Sequence, residues 1–206
     1  AGKWRAVPEI RPNQIFAVAL PHSALTPEQQ KSVVACVRSK LLTPVGLRTL
    51  DPADPRYVSR FEGDLFHRDG AYHNGTVWPW LIGPFIEASL RAEGFSEASR
   101  AQALRDLSGL IGLVRGLPAP KEGSGPSRTG VPRSVGTIAE VFDGDEPAAD
   151  SPRRADGCMA QAWSVAECLR ALSLIRASGT VRQAGPIGTA TPAIESKQPA
   201  GKPVRA

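Results

Sequence analysis

Apolar side chains recur at helical spacing in five segments of the chain. Residues 12–20 are almost entirely apolar and stop at a proline, which predicts a short helix buried on most sides. A second helix begins at a capping box, in which the side chains of Thr26 and Gln29 each bond the other's backbone amide, and it runs to Leu41. Three more helices are predicted at residues 79–90, 97–114 and 160–176.

The sequence gives little indication of β-strands. The apolar pair Val141-Phe142 is too short, and no clean alternation of apolar and polar residues occurs elsewhere. The predicted class is therefore all-α. Two long connections, 42–77 and 117–159, separate the helices. The first has no low-complexity bias, so it is expected to be ordered and to carry function, whereas 119–133 and 147–156 are expected to be irregular.

The net charge of +5 does not indicate a nucleic-acid partner. Residues 179–206 carry four basic residues against one acidic residue, and no basic stripe with interleaved aromatic residues occurs. This Gly/Pro-rich segment is predicted to be a disordered basic tail, and residues 1–178 to form the structured domain. No run of about 18 apolar residues exists, so no membrane partner is expected.

Three cysteines form no pair or zinc pattern, which favours a reducing, cytoplasmic compartment. Nothing in the sequence demands a metal or an organic cofactor.

The densest cluster of chemically active side chains spans residues 64–80, with two histidines, two aspartates, an arginine, a tyrosine and two tryptophans. This composition suits a protein interaction surface, and it also suits a polyol site with aromatic rings against C–H faces and polar groups on hydroxyls. The spacing of His67 and His73 matches no zinc pattern, and no serine lies on a nucleophile elbow. A second cluster, 136–145, centres on Glu140, which taken alone is better explained as a solvated loop carboxylate.

Five motifs occur in the chain in the order RPNQIFA (11–17), GLRTL (46–50), DGAYHNGTVWPW (69–80), AEVFDG (139–144) and QAWSVAE (161–167). Together they resemble the glycogen debranching enzymes, and more narrowly their C-terminal amylo-α-1,6-glucosidase part. The resemblance extends over residues 10–177, and the YHNGTVWPW string is its most specific element.

The resemblance implies a hydrolase that acts on α-1,6-glucosidic branch points of glycogen-like glucans. It also implies an (α/α)6 barrel, of which about five helices would be the C-terminal part. Glu140 matches the family's general base, whereas the family's general acid is an aspartate upstream of the part matched here. We therefore expect two partners, a branched α-glucan and the missing N-terminal part of the barrel, and no activity from the chain alone.

Nine residues are predicted to bind the substrate: Asn13, Gln14, Arg48, Arg68, Asp69, Tyr72, His73, Trp78 and Trp80. Several also suit structural roles. The alternatives are packing in the core at a helix start for Trp80, bracing of the loop for the charged residues and His73, and helix capping for Asn13 and Gln14. Trp163 is predicted to be a core residue.

Two alternative functions remain open from the sequence. The first is a non-catalytic half-barrel that binds glucan or a protein partner without turnover. The second is another (α/α)6 glycosidase, such as a trehalase-like enzyme.

Overall fold

The computed structural model describes residues 7–116, 136–145 and 153–177. These ranges contain the helices α1 (Phe16–Ala19), α2 (Pro27–Lys40), α3 (Leu65–Tyr72), α4 (Ile82–Ala92), α5 (Glu97–Val114) and α6 (Ala162–Arg176). Short 3-10 turns at Pro12–Ile15 and Pro79–Leu81 lead into α1 and α4. All five predicted helices are therefore confirmed.

Local signals fix where these helices begin. The Thr26 hydroxyl accepts from the amide of Gln29 at 3.3 Å, and the Gln29 side chain accepts from the amide of Thr26 at 2.9 Å. This is the predicted capping box, which satisfies amides that have no partner inside α2. The Ser96 hydroxyl accepts in the same way from the amide of Ser99 at the start of α5.

The prediction of an all-α chain is wrong in one respect, because the structure is mostly helical but also contains a small antiparallel sheet. Its strands follow one another in chain order: β1 (Leu42–Thr43), β2 (Gly46–Arg48), β3 (Val77–Trp78), β4 (Val141–Phe142) and β5 (Ala155–Asp156). Strands of two or three residues leave no alternation to detect in a sequence. The supposed loop 42–77 thus contains two strands, the start of a third and α3.

Helix α4 occupies the centre of the hydrophobic core. Nine of its residues are buried, including Phe85, Ile86 and Leu90. It packs against α1, α2, α5 and α6. A half-buried ion network also joins α4 to α6, in which Glu87 accepts from Arg91 at 2.7 Å and from Arg170 at 2.6 Å.

The predicted disordered tail, 179–206, lies outside the described residues, as does the irregular segment 119–133. Within the described ranges, no helix combines the length and the apolar character needed to cross a membrane.

We predict that Gly109→Ala destabilises the fold. A Cβ at Gly109 in α5 would lie 2.0 Å from the backbone oxygen of Pro44, in the turn between β1 and β2. Relieving this contact requires a backbone shift, so the free energy of unfolding should fall by about 2 kcal/mol. Urea unfolding followed by circular dichroism measures this change.

Gly70→Ala is the matched control, because a Cβ at Gly70 in α3 would meet nothing within 4 Å. Alanine has a higher helix propensity than glycine, so this change should leave the free energy of unfolding unchanged or raise it by about 0.5–1 kcal/mol. Equal unfolding midpoints for Gly109→Ala and the wild type would contradict the prediction.

Candidate functional site

A cavity of about 510 Å³ lies where the 3-10 turns, the sheet and the start of α6 meet. Its walls come from sequence-distant segments that the fold brings together. The lining residues are Arg11, Pro12, Asn13, Thr49, Tyr72, His73, Trp78, Trp80, Leu81, Glu140, Gln161 and Trp163. Among these described lining residues, Glu140 carries the only carboxylate.

The pairing of β4 with β5 holds Glu140 in place. The Glu140 amide donates to the carbonyl of Cys158 at 2.8 Å, and the Cys158 amide donates to Glu140 Oε2 at 2.9 Å. The other carboxylate oxygen, Oε1, accepts from the Tyr72 hydroxyl at 2.5 Å. Both carboxylate oxygens are therefore held by donors, which fixes the direction in which the group points into the cavity.

The backbone of Gly157 allows this arrangement. Gly157 has a φ of +70°, which favours glycine. A Cβ at this position would lie 2.6 Å from Glu140 Oε2, so a larger residue would also push the carboxylate aside.

Tyr72 reaches Glu140 because it ends α3. That helix begins at Asp64, whose side chain accepts from the amide of His67 at 3.0 Å. At its other end the Tyr72 carbonyl accepts from Trp78 Nε1 at 2.9 Å. Burial and then the hydrogen bond to Glu140 raise the pKa of Tyr72 to about 12, so the phenol remains a donor at neutral pH.

A row of aromatic rings runs along the cavity from Tyr72. The ring centroids of Tyr72 and Trp78 lie 4.8 Å apart, and those of Trp78 and Trp163 lie 6.0 Å apart. Trp163 is 5.6 Å from Trp80, which in turn is 6.2 Å from Phe16. These are ordinary separations for aromatic pairs.

Arg11 braces the loop that carries His73. Its guanidinium donates to the His73 carbonyl at 2.6 Å and to Asn74 Oδ1 at 3.0 Å, and it pairs with Glu9. The imidazole of His73 stacks on Trp78 at 5.1 Å. Burial, followed by the positive charge of Arg11, lowers the pKa of His73 below its ordinary value of 6.5.

The sequence profile of the amylo-alpha-1,6-glucosidase family matches residues 5–170. The chain belongs to this family. The glycogen debranching enzyme of Saccharomyces cerevisiae is 34% identical to it over 86 residues, which make up 39% of this chain and 6% of the yeast protein. The chain thus corresponds to a small part of that relative.

For this amylo-alpha-1,6-glucosidase family member, the cavity brings together Glu140 and five of the nine residues predicted to bind substrate. These five are Asn13, Tyr72, His73, Trp78 and Trp80. Trp78 is buried, and the Tyr72 hydroxyl is directed at Glu140.

The other four predicted residues do not line the cavity. Gln14 donates to the carbonyl of Arg11 at 2.9 Å, which is a local contact between a side chain and the backbone. Arg48 is buried and donates to the carbonyl of Gly144 at 2.7 Å, linking β2 to the residues after β4. Arg68 and Asp69 are exposed on α3.

Sequence reasoning missed six lining residues: Arg11, Pro12, Thr49, Leu81, Gln161 and Trp163. Arg11 and Gln161 each begin one of the motifs that carry the family resemblance, which was the available signal. The prediction that Trp163 is a core residue is wrong, because its side chain is 46% exposed at the start of α6. The buried face of α6 carries Ser164, Cys168, Ala171 and Ile175, and Trp163 does not lie on it.

We predict that the His73 ring titrates below pH 6.5 in the folded chain. Its folded pKa is lowered, so the unfolded chain binds the proton more readily, and stability falls as the pH drops from about 6.5 through the folded pKa. Nuclear magnetic resonance titration of the ring measures the midpoint, and His73→Asn should remove this part of the pH dependence of unfolding. A midpoint at or above 6.5 would contradict the prediction.

Proposed function

We propose that this chain supplies the general-base side of an α-1,6-glucosidase site that removes glucosyl branch stubs from glycogen-like glucans. The observation that carries the proposal is the Glu140 carboxylate, held from both oxygens at the wall of an aromatic cavity. Membership of the amylo-alpha-1,6-glucosidase family and the debranching-enzyme relative support the substrate class.

Glu140 has the properties that activation of water requires. The Tyr72 hydroxyl and the Cys158 amide both donate to it, and they hold its two oxygens in the fixed orientation that a general base requires. Each carboxylate oxygen has two lone pairs, so each retains one that a water molecule can bond. The water would attack the anomeric carbon while its proton passes to Glu140.

Hydrolysis with inversion also needs a carboxylic acid roughly 6.5–9.5 Å away, which protonates the leaving oxygen. Glu140 is the only carboxylate among the described lining residues. We propose that the acid is an aspartate outside this sequence, in the N-terminal part of an (α/α)6 barrel whose C-terminal part is this chain. On this proposal the chain alone does not turn over substrate.

The same observation favours a second candidate, a glucan-binding module without turnover. A cavity with one carboxylate and several aromatic rings suits sugar binding whether or not an acid is supplied. The two candidates differ in whether Glu140 is needed for glucose release or only for binding.

We predict that Glu140→Gln abolishes glucose release from a branched limit dextrin, with a loss of at least about 100-fold in kcat. The amide keeps the size of the side chain but accepts no proton. The assay uses the longest natural protein that contains this chain. Glu28→Gln, an exposed change at the start of α2, is the control. Near-normal glucose release by Glu140→Gln would overturn the base assignment.

We predict that Tyr72→Phe lowers kcat by about 10- to 100-fold and leaves KM within about twofold. The substitution removes the donor to Glu140 Oε1 but keeps the ring, so the base is present and poorly oriented. In a double-mutant cycle, Tyr72→Phe should have no further effect in the Glu140→Gln background, because Tyr72 acts through Glu140. Additive losses would contradict this role.

A further inference from the structure

Trp163 is unusual among the large apolar side chains near the cavity because it is 46% exposed while lining the wall. The neighbouring Trp78 is buried, and its indole N–H is bonded to the Tyr72 carbonyl. Within the described residues, the indole N–H of Trp163 forms no hydrogen bond. Both a ring face and a donor are thus available to a ligand.

The row of rings gives Trp163 a defined place relative to the base. Tyr72 contacts Glu140, Trp78 comes next, and Trp163 and Trp80 follow. A sugar beside Glu140 would lie against the first part of this row. Trp163 and Trp80 then offer their surface to whatever is attached to that sugar.

The polar groups at this part of the cavity are neutral. The side-chain amides of Asn13 and Gln161 line it, and within the described part of the chain neither forms a hydrogen bond. Arg11, the one cation among the described lining residues, is paired with Glu9 and bonded to the His73 loop. Neutral amides beside the exposed indole of Trp163 suit an uncharged polyhydroxylated ligand rather than a phosphate or a carboxylate.

The cavity is also larger than one hexose requires. A hexose unit has roughly a dozen heavy atoms. At about 30 Å³ per heavy atom, which is the volume per molecule in liquid water, the unit occupies at most about 360 Å³. The cavity holds about 510 Å³. The remaining space can admit part of a second sugar.

We propose that Trp163, with Trp80, forms a stacking site for the glucosyl unit of the main glucan chain to which the α-1,6-linked stub is attached. This inference rests on the proposed function and adds a specificity-determining residue to it. Trp163 would thereby favour a stub carried on a chain over free glucose.

The test measures binding of ligands to the 206-residue chain itself. Binding is monitored through the nuclear magnetic resonance signals of the indole N–H groups of its four tryptophans. The two probes are glucose and a maltotetraose that carries one α-1,6-linked glucosyl stub. Trp163→Ala should weaken binding of the branched probe about tenfold, because one stacked ring face is lost. Binding of glucose should be unchanged. Trp163→Phe should retain most of the affinity.

Leu104→Ala is the matched control, because Leu104 is also 46% exposed but lies outside the cavity. Equal affinity of Trp163→Ala and wild type for the branched probe would overturn the proposal, as would absence of binding by the wild type. A loss of both probes with a lowered melting temperature would also overturn it, because Trp163 would then be a packing residue.

Failure of the proposed function gives a different result. If Glu140 is not the base, Glu140→Gln retains glucose release, whatever Trp163→Ala does to binding. If only the stacking site is wrong, Glu140→Gln is inactive and Trp163→Ala binds the branched probe normally.

Discussion

Burial of α4 is the constraint on which the rest of the structure depends. A helix that is apolar on almost every side must be surrounded, and α4 is enclosed by α1, α2, α5 and α6. Its start is fixed by Pro79 in the preceding 3-10 turn, where the proline ring sets φ and removes an amide that would lack a partner. Because α4 cannot shift without exposing its core residues, the segment before it has a fixed position.

That segment is β3 and the turn after it, which carry Trp78 and Trp80. The position of β3 in turn fixes β4 through the pairing of Val77 with Phe142, and β4 fixes β5 through the pairing of Phe142 with Ala155. Glu140 immediately precedes β4, and its contact with Cys158 extends the same ladder. The position of the carboxylate therefore depends on strand pairings that follow from the burial of α4.

All helices except α3 could be predicted from the sequence because their signals are local. The capping box at Thr26, the N-cap at Ser96 and the apolar face of α4 each lie within a few residues. The sheet could not, because each strand has only two or three residues, and β3 pairs with strands far along the chain on both sides. Arg11 and Gln161 reach the cavity through contacts with residues far along the chain, so helical periodicity did not mark them, although each begins a motif of the family resemblance.

On the proposed function, recognition and chemistry use different parts of this scaffold. Glu140 is held by strand pairing and by the end of α3, whereas Trp80 and Trp163 lie at the starts of α4 and α6 and neither is fully buried. A change at Trp163 therefore leaves intact every hydrogen bond that orients the carboxylate. On that proposal, the glucan bound can vary through residues at helix starts while Glu140 keeps its place. A site in which the same side chains bound the sugar and held the base would not allow that separation.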